Sequence, residues 1–158
     1  MIMANDVLLD QLAAAHKESG WFTCLDDALK GITYERVFWS PKDEANSVFG
    51  IVQHLAYWSE VYLERYKPGA IGEIAKLKNN ETFQIPDGEK TEELWLKTRA
   101  RFEKSYTGWR KVIEEDPEKL VEDDWWKHVS HFSLHNAYHI GQIVTLRKLQ
   151  GSWIPPEQ

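Results

Sequence analysis

Apolar residues recur along this chain at helical spacing in four stretches, each bounded by residues that cap or stop a helix. The first stretch opens after Asn5 or Asp6 and places Leu8, Leu12 and Ala15 on one face. Ser19-Gly20 interrupts it, and the pattern resumes with Trp21, Leu25, Ala28 and Leu29 until Gly31 ends it. The second begins at Asn46 or Ser47, either of which can cap exposed backbone N–H groups. There Val48, Ile51, Val52, Leu55, Tyr62, Leu63 and Tyr66 form a stripe that Lys67-Pro68-Gly69 stops. His54 lies beside this stripe, so its ring is predicted to point at least partly inward.

Residues 68 to 88 read as a long connection punctuated by Pro68, Gly69, Asn79-Asn80, Pro86 and Gly88. Connections of this length are uncommon unless they cross the fold or cover a site. Such a link can run the length of a bundle, so the helices it joins need not be antiparallel neighbours. The third helix starts near Thr91, with Glu92 and Glu93 placed against its N-terminal dipole. Trp95, Thr98, Phe102, Tyr106, Trp109, Val112 and Ile113 give it an apolar face, and Asp116-Pro117 closes it.

The fourth helix differs in kind. From Val129 to Leu149 only Arg147 and Lys148 are charged, both in the last turn, where cations suit the dipole, and Gly151 supplies a left-handed cap. A helix so poor in charge is predicted to be buried on most sides. The pattern as a whole predicts an all-α four-helix bundle. At 158 residues the chain has the length of one domain, here residues 1–158.

Composition narrows the function classes. The net charge is −6 and no stretch joins basic clusters to aromatic platforms, which leaves nucleic acid without an electrostatic footprint. The dense charge is acidic, at Glu114, Glu115 and Asp116 and again at Glu122, Asp123 and Asp124, as on solvated surface. Cys24 is the single cysteine, so no internal disulfide forms and a reducing compartment is the simpler home. Its apolar neighbours Phe22 and Leu25 fit a buried, inert thiol. The N-terminal residues lack a basic leader before an apolar core, and no apolar run approaches the roughly 20 residues that span a bilayer. The expectation is a cytoplasmic protein without nucleic-acid or membrane partners. Eight tryptophans point to a thick aromatic core or a ring-lined pocket.

Against this apolar background, His128, His131, His135 and His139 fall within twelve residues. Side chains four apart on a helix share a face, with Cβ atoms about 5–6 Å apart. Two imidazoles so spaced can converge on one ion with metal–nitrogen bonds of about 2.0–2.1 Å. His131 and His139 are roughly 12 Å apart along the axis, too far to share it. An ion can therefore take His131 with His135, or His135 with His139. A third ligand has to come from another helix, and His54 is set deeper in an amphipathic pattern than His16. Three histidines leave coordination positions open, as in catalytic sites. A single inward histidine is ordinarily a core residue, but two packed at i and i+4 each need partners when buried. Asn136 stands where a zinc peptidase helix carries its general-base glutamate, so the His-Glu-x-x-His motif is absent.

The run Ser133-Leu134-His135-Asn136-Ala137-Tyr138-His139-Ile140-Gly141-Gln142-Ile143 resembles a signature of the DinB/YfiT-like family. Upstream, Asn46-Ser47-Val48-Phe49-Gly50-Ile51-Val52-Gln53-His54-Leu55-Ala56-Tyr57-Trp58 is similar to that family's other marker, a capped helix with one histidine. The likeness runs over nearly the whole chain. It implies an up-down-down-up bundle with a long crossover between helices 2 and 3. It also implies a divalent metal on His54, His135 and His139, which selects the His135/His139 pair that spacing left open. Relatives of this type include thiol-dependent transferases and isomerases, and they are frequently homodimers.

Three neutral imidazoles leave an ion its full charge, able to lower the pKa of bound water from about 15.7 to near 7 or to hold a thiolate. The sequence thus points to a metal-dependent enzyme acting on a small molecule, a thiol transferase or hydrolase. The alternative is a non-catalytic metal or small-molecule binding protein. Zinc is the default ion, and nickel or ferrous iron fits the same ligands; a low-molecular-weight thiol is the expected cosubstrate. Tyr57, His131 and Gln142 are candidate neighbours that orient the ligands. Glu60 is a weaker candidate base on the helix surface, and Trp125 and Trp126 either roof the pocket or anchor a loop.

Overall fold

The computed structural model describes residues 1–42, 45–85 and 89–157, and these are helices and connections, with no strand among them. In chain order the helices are α1 (Ala4–His16), α2 (Leu25–Leu29), α3 (Tyr34–Val37), α4 (Val48–Tyr66), α5 (Glu92–Glu115), α6 (Lys119–Glu122) and α7 (Trp125–Leu149). A short 3-10 turn at Asn79–Phe83 lies between α4 and α5. Pro86 and Gly88, read as punctuation of that connection, lie outside the described residues.

The long helices begin and end where local chemistry directs. Ser47 caps α4, its hydroxyl accepting from the Gly50 N–H at 3.1 Å, and Thr91 caps α5 by accepting from Leu94 N–H at 3.1 Å. Every residue assigned to the apolar face of the third helix is buried in α5. Gly31 and Gly151 take the positive φ values of 71° and 69° that follow α2 and α7.

Elsewhere the local reading needs correction. Trp21 does not resume the first helix; its side chain is fully exposed, and α2 starts only at Leu25. The cause is Ser19, whose hydroxyl accepts from the Cys24 N–H and donates to Asp27, offering the backbone a competing partner. Helix α7 starts a turn early, so Trp125 and Trp126 belong to it. It is not buried on most sides: Leu134 and Tyr138 face outward, 62% and 65% exposed. Nor does Arg147 serve the dipole from the surface. It is fully buried, and its guanidinium donates to the carbonyls of Ala28 (2.9 Å), Lys30 (2.8 Å) and Ser152.

Packing of the long helices positions the site. Helix α4 lies against α5 and α7, and α1 against the same two. The C-terminal ends of α4 and α5 meet, with Tyr66 Oη donating to the Asp116 carbonyl at 3.0 Å and Lys67 paired with Glu115. Nearer the other end, Arg101 forms a bidentate pair with Glu60 at 3.0 and 2.6 Å. The two helices are therefore parallel neighbours, and the connection between them returns along the length of α4. On the way its 3-10 turn packs against α4. Helix α7 runs antiparallel to α4, which sets Trp125 beside Tyr66 and His135 beside His54.

Candidate metal centre

Helix α4 buries His54 one turn after Gly50, where the 3-10 turn crosses. Gly50 permits the crossing: a Cβ there would stand 2.6 Å from the Phe83 carbonyl oxygen. Gln53 pins the turn from the next position, its amide donating to the carbonyls of Thr82 (2.9 Å) and Gln84 (2.8 Å). From α7, His135 and His139 approach on one face, four residues apart.

Three Nε2 atoms converge. His135 Nε2 is 3.0 Å from His54 Nε2 and 3.1 Å from His139 Nε2. All three ligand atoms lie within 4.8 Å of one another, and His54 and His139 are buried while His135 is half-buried. Phe83 stacks on His54 with centroids 3.9 Å apart and planes 12° apart, closing one side with an apolar ring.

The hydrogen bonds behind the rings fix their protons. Thr82 Oγ1 donates its one hydrogen to the Asn79 carbonyl at 2.6 Å, so toward His54 it can only accept. His54 Nδ1, 2.7 Å away, therefore carries the ring proton and Nε2 is bare. Gln142 Oε1 accepts from His139 Nδ1 at 2.7 Å, with the same consequence. A proton on His135 Nε2 satisfies one of these bare nitrogens and not both. The arrangement thus sets lone pairs against one another at contact distance, which a cation between them relieves. Tetrahedral ligands 2.0–2.1 Å from an ion stand about 3.3 Å apart and cis-octahedral ones about 2.9 Å. The observed separations fall between those values, so these residues can hold a metal ion.

Electrostatics keeps the rings neutral. Burial, followed by the neighbouring His139 and His135, lowers the His54 pKa to about 3. Burial, then His139, lowers that of His135 to about 4, and burial lowers that of His139. Each imidazole therefore presents a lone pair at neutral pH without first losing a proton.

The other residues singled out in the sequence have separate places. Gln142 holds His139 as described. Tyr57 spends its hydroxyl on the connection, donating to the Ala75 carbonyl and accepting from the Leu77 N–H, both at 3.0 Å. His131 is exposed, one turn before His135. Glu60 is a correction: it is 8% exposed and bound by Arg101, so it is neither on the surface nor free to act as a base. Asn136 turns from the cluster into the core, donating to Tyr106 Oη at 3.3 Å. Trp125 packs on Tyr66 and Trp109 and so anchors the start of α7, while Trp126 is exposed. Sequence reasoning missed Thr82 and Phe83. The length of the connection was the one signal that it crossed a site.

A second group, His16 with Asp26 and Glu103, also meets metal-ligand spacing. Lys17 lies 2.5 Å from Glu103 and supplies the positive charge there, so the carboxylate is already paired.

A profile described as the DinB superfamily matches residues 23–143, about three quarters of the chain, and that span contains all three converging imidazoles. No curated protein and no solved structure matches the chain.

Proposed function

The chain belongs to the DinB superfamily, and on that premise we propose that it is a metal-dependent enzyme acting on a small molecule. In this reading His54, His135 and His139 hold one divalent ion, with zinc first and nickel or ferrous iron as alternatives. The long helices α1, α4, α5 and α7 take an up-down-down-up course, and the crossover between α4 and α5 serves the centre.

The observation that carries the reading is the preset tautomers: Thr82 and Gln142 each hold a ring proton at Nδ1, leaving Nε2 free toward the common point. That is the arrangement of hydrogen-bonded metal-ligating histidines. A divalent ion bound there would supply a Lewis acid that makes water or a thiol nucleophilic near neutral pH. The chain supplies orientation through Thr82 and Gln142, and exclusion of water through Phe83. Glu60 is paired with Arg101 and Asn136 donates to Tyr106, so neither position offers a base to the cluster. The reaction is transfer of a low-molecular-weight thiol to an electrophile, or hydrolysis by water held on the ion. That neither of these positions offers a base favours one second reading, a protein that holds metal without turnover.

A paired screen separates them. Zinc-loaded and chelated protein are assayed with low-molecular-weight thiols plus electrophiles, and with ester and amide substrates. Metal-dependent turnover that disappears in His139→Ala is expected. Stoichiometric zinc without turnover in either panel would overturn the enzyme reading and leave the holder.

A further inference from the structure

From the exposed edge of His135 a groove of about 330 Å³ opens between α4 and α7, at the small end of the roughly 300–1,000 Å³ usual for ligand sites. Helix α4 contributes Trp58 and Tyr62, one and two turns beyond His54, and α7 contributes Phe132 across from them. Both helices thus line the groove with aromatic rings. Among the described residues no carboxylate, ammonium or guanidinium lines it; beside His135 the polar ones are Asn79, His128 and His131.

The ring of Trp58 is tied to the crossover. Its Nε1–H donates to Asn79 Oδ1 at 3.2 Å, which leaves the Asn79 amide hydrogens free to donate. The backbone carbonyl of the same Asn79 receives the Thr82 hydroxyl, which in turn orients His54. One residue of the crossover therefore sets both the wall of the groove and a member of the imidazole cluster.

We propose that this groove is the binding site for a small, uncharged aromatic molecule, slotted between Trp58 and Phe132 with its reactive atom directed to His135. Resting on the reading of the imidazole cluster as the reaction centre, the inference adds the substrate class. Aromatic walls favour a flat π-face over a saturated ring of equal size, through offset or edge-to-face contacts. With no ion bound, the lining residues bring no fixed charge to offset the desolvation of a phosphorylated or otherwise polyanionic ligand. Asn79 and the imidazoles of His128 and His131 supply hydrogen bonds to a hydroxyl or carbonyl substituent.

The test uses 2-naphthol, its saturated analogue decahydro-2-naphthol and 2-naphthyl phosphate, titrated calorimetrically into zinc-loaded and chelated full-length protein. Saturable 2-naphthol binding is expected, at least tenfold tighter than decahydro-2-naphthol in both forms and than 2-naphthyl phosphate in the chelated protein. Trp58→Leu and Phe132→Leu keep apolar bulk, which protects the fold because Phe132 also packs on Trp109. Each is expected to weaken 2-naphthol tenfold or more while zinc content stays at the wild-type level. Absence of saturable binding, equal affinity for the saturated analogue, or insensitivity to both leucine variants would overturn the proposal. Naphthol binding by a protein that takes up no zinc would uphold the groove and defeat the metal reading, so the two failures are distinct.

Discussion

Thr82 binds no ion in this reading, yet it decides which nitrogen of His54 faces the cluster. Thr82→Val keeps the shape and removes the acceptor, so zinc affinity is expected to fall about 10–100-fold, with Thr82→Ser restoring most of it. Zinc titration calorimetry on the two variants checks this, and an unchanged Thr82→Val affinity would refute the role. The lowered pKa values give a second residue-scale expectation. Unfolded histidine takes up a proton near 6.5, whereas folded His54 and His135 wait until about 3 and about 4. Between those limits the unfolded chain binds more protons, so metal-free stability is full above pH 6.5 and declines as pH falls through that window. The urea midpoint of chelated protein is expected to drop between pH 7 and pH 4.5, and less steeply in His54→Phe. In the sequence, His135 and His139 were legible by spacing and His54 by its place near an apolar stripe. Spacing alone could not reject His131. Its exposure follows from which face of α7 meets α4, a tertiary fact.

Among elements, the crossing of α4 by the 3-10 turn carries the geometry. An Ala in a helix interior ordinarily stabilises by about 1 kcal/mol relative to Gly. At Gly50 the sign reverses, because the new Cβ meets backbone at the Phe83 carbonyl and not a side chain that can swing aside. Gly50→Ala is expected to lower thermal stability and to weaken zinc binding together, since Phe83 stacks on His54 and Thr82 holds it. A stability gain, or intact zinc affinity despite the substitution, would contradict that coupling. The ends of α4 and α5 were readable because Ser47, Thr91 and Lys67-Pro68-Gly69 act through neighbours in sequence. The break before α2 was visible at Ser19-Gly20, but the exposure of Trp21 was not. Hydrophobic period assigns a face to a residue before it knows whether the helix persists there. The outward Leu134 and Tyr138 show the same limit, since scarcity of charge describes a helix without saying which sides are covered.

At the scale of the molecule, parallel α4 and α5 oblige the chain to return along α4, and that return delivers Thr82, Phe83 and Asn79 to the centre. The length of residues 68 to 88 announced a crossing. Which side chains it would deliver depends on register along α4, which no local pattern carries. Arg147 shows long-range tethering of another kind, joining α7 to the carbonyls that end α2 and to Ser152. Arg147→Met keeps the apolar stem but strands the buried Ala28 carbonyl and the part-buried carbonyls of Lys30 and Ser152. A loss on the order of 3 kcal/mol is expected in urea unfolding, with zinc content unchanged because the residue is two turns beyond His139. The claim on which the rest stands is that imidazoles from α4 and α7 share one ion. Elemental analysis of freshly purified, untagged protein measures it directly, beside His54→Ala and His135→Ala. One divalent ion per chain in the wild type and none in either variant is the expected result. A folded wild-type protein free of metal even after incubation with zinc, or variants that retain the full ion, would contradict it.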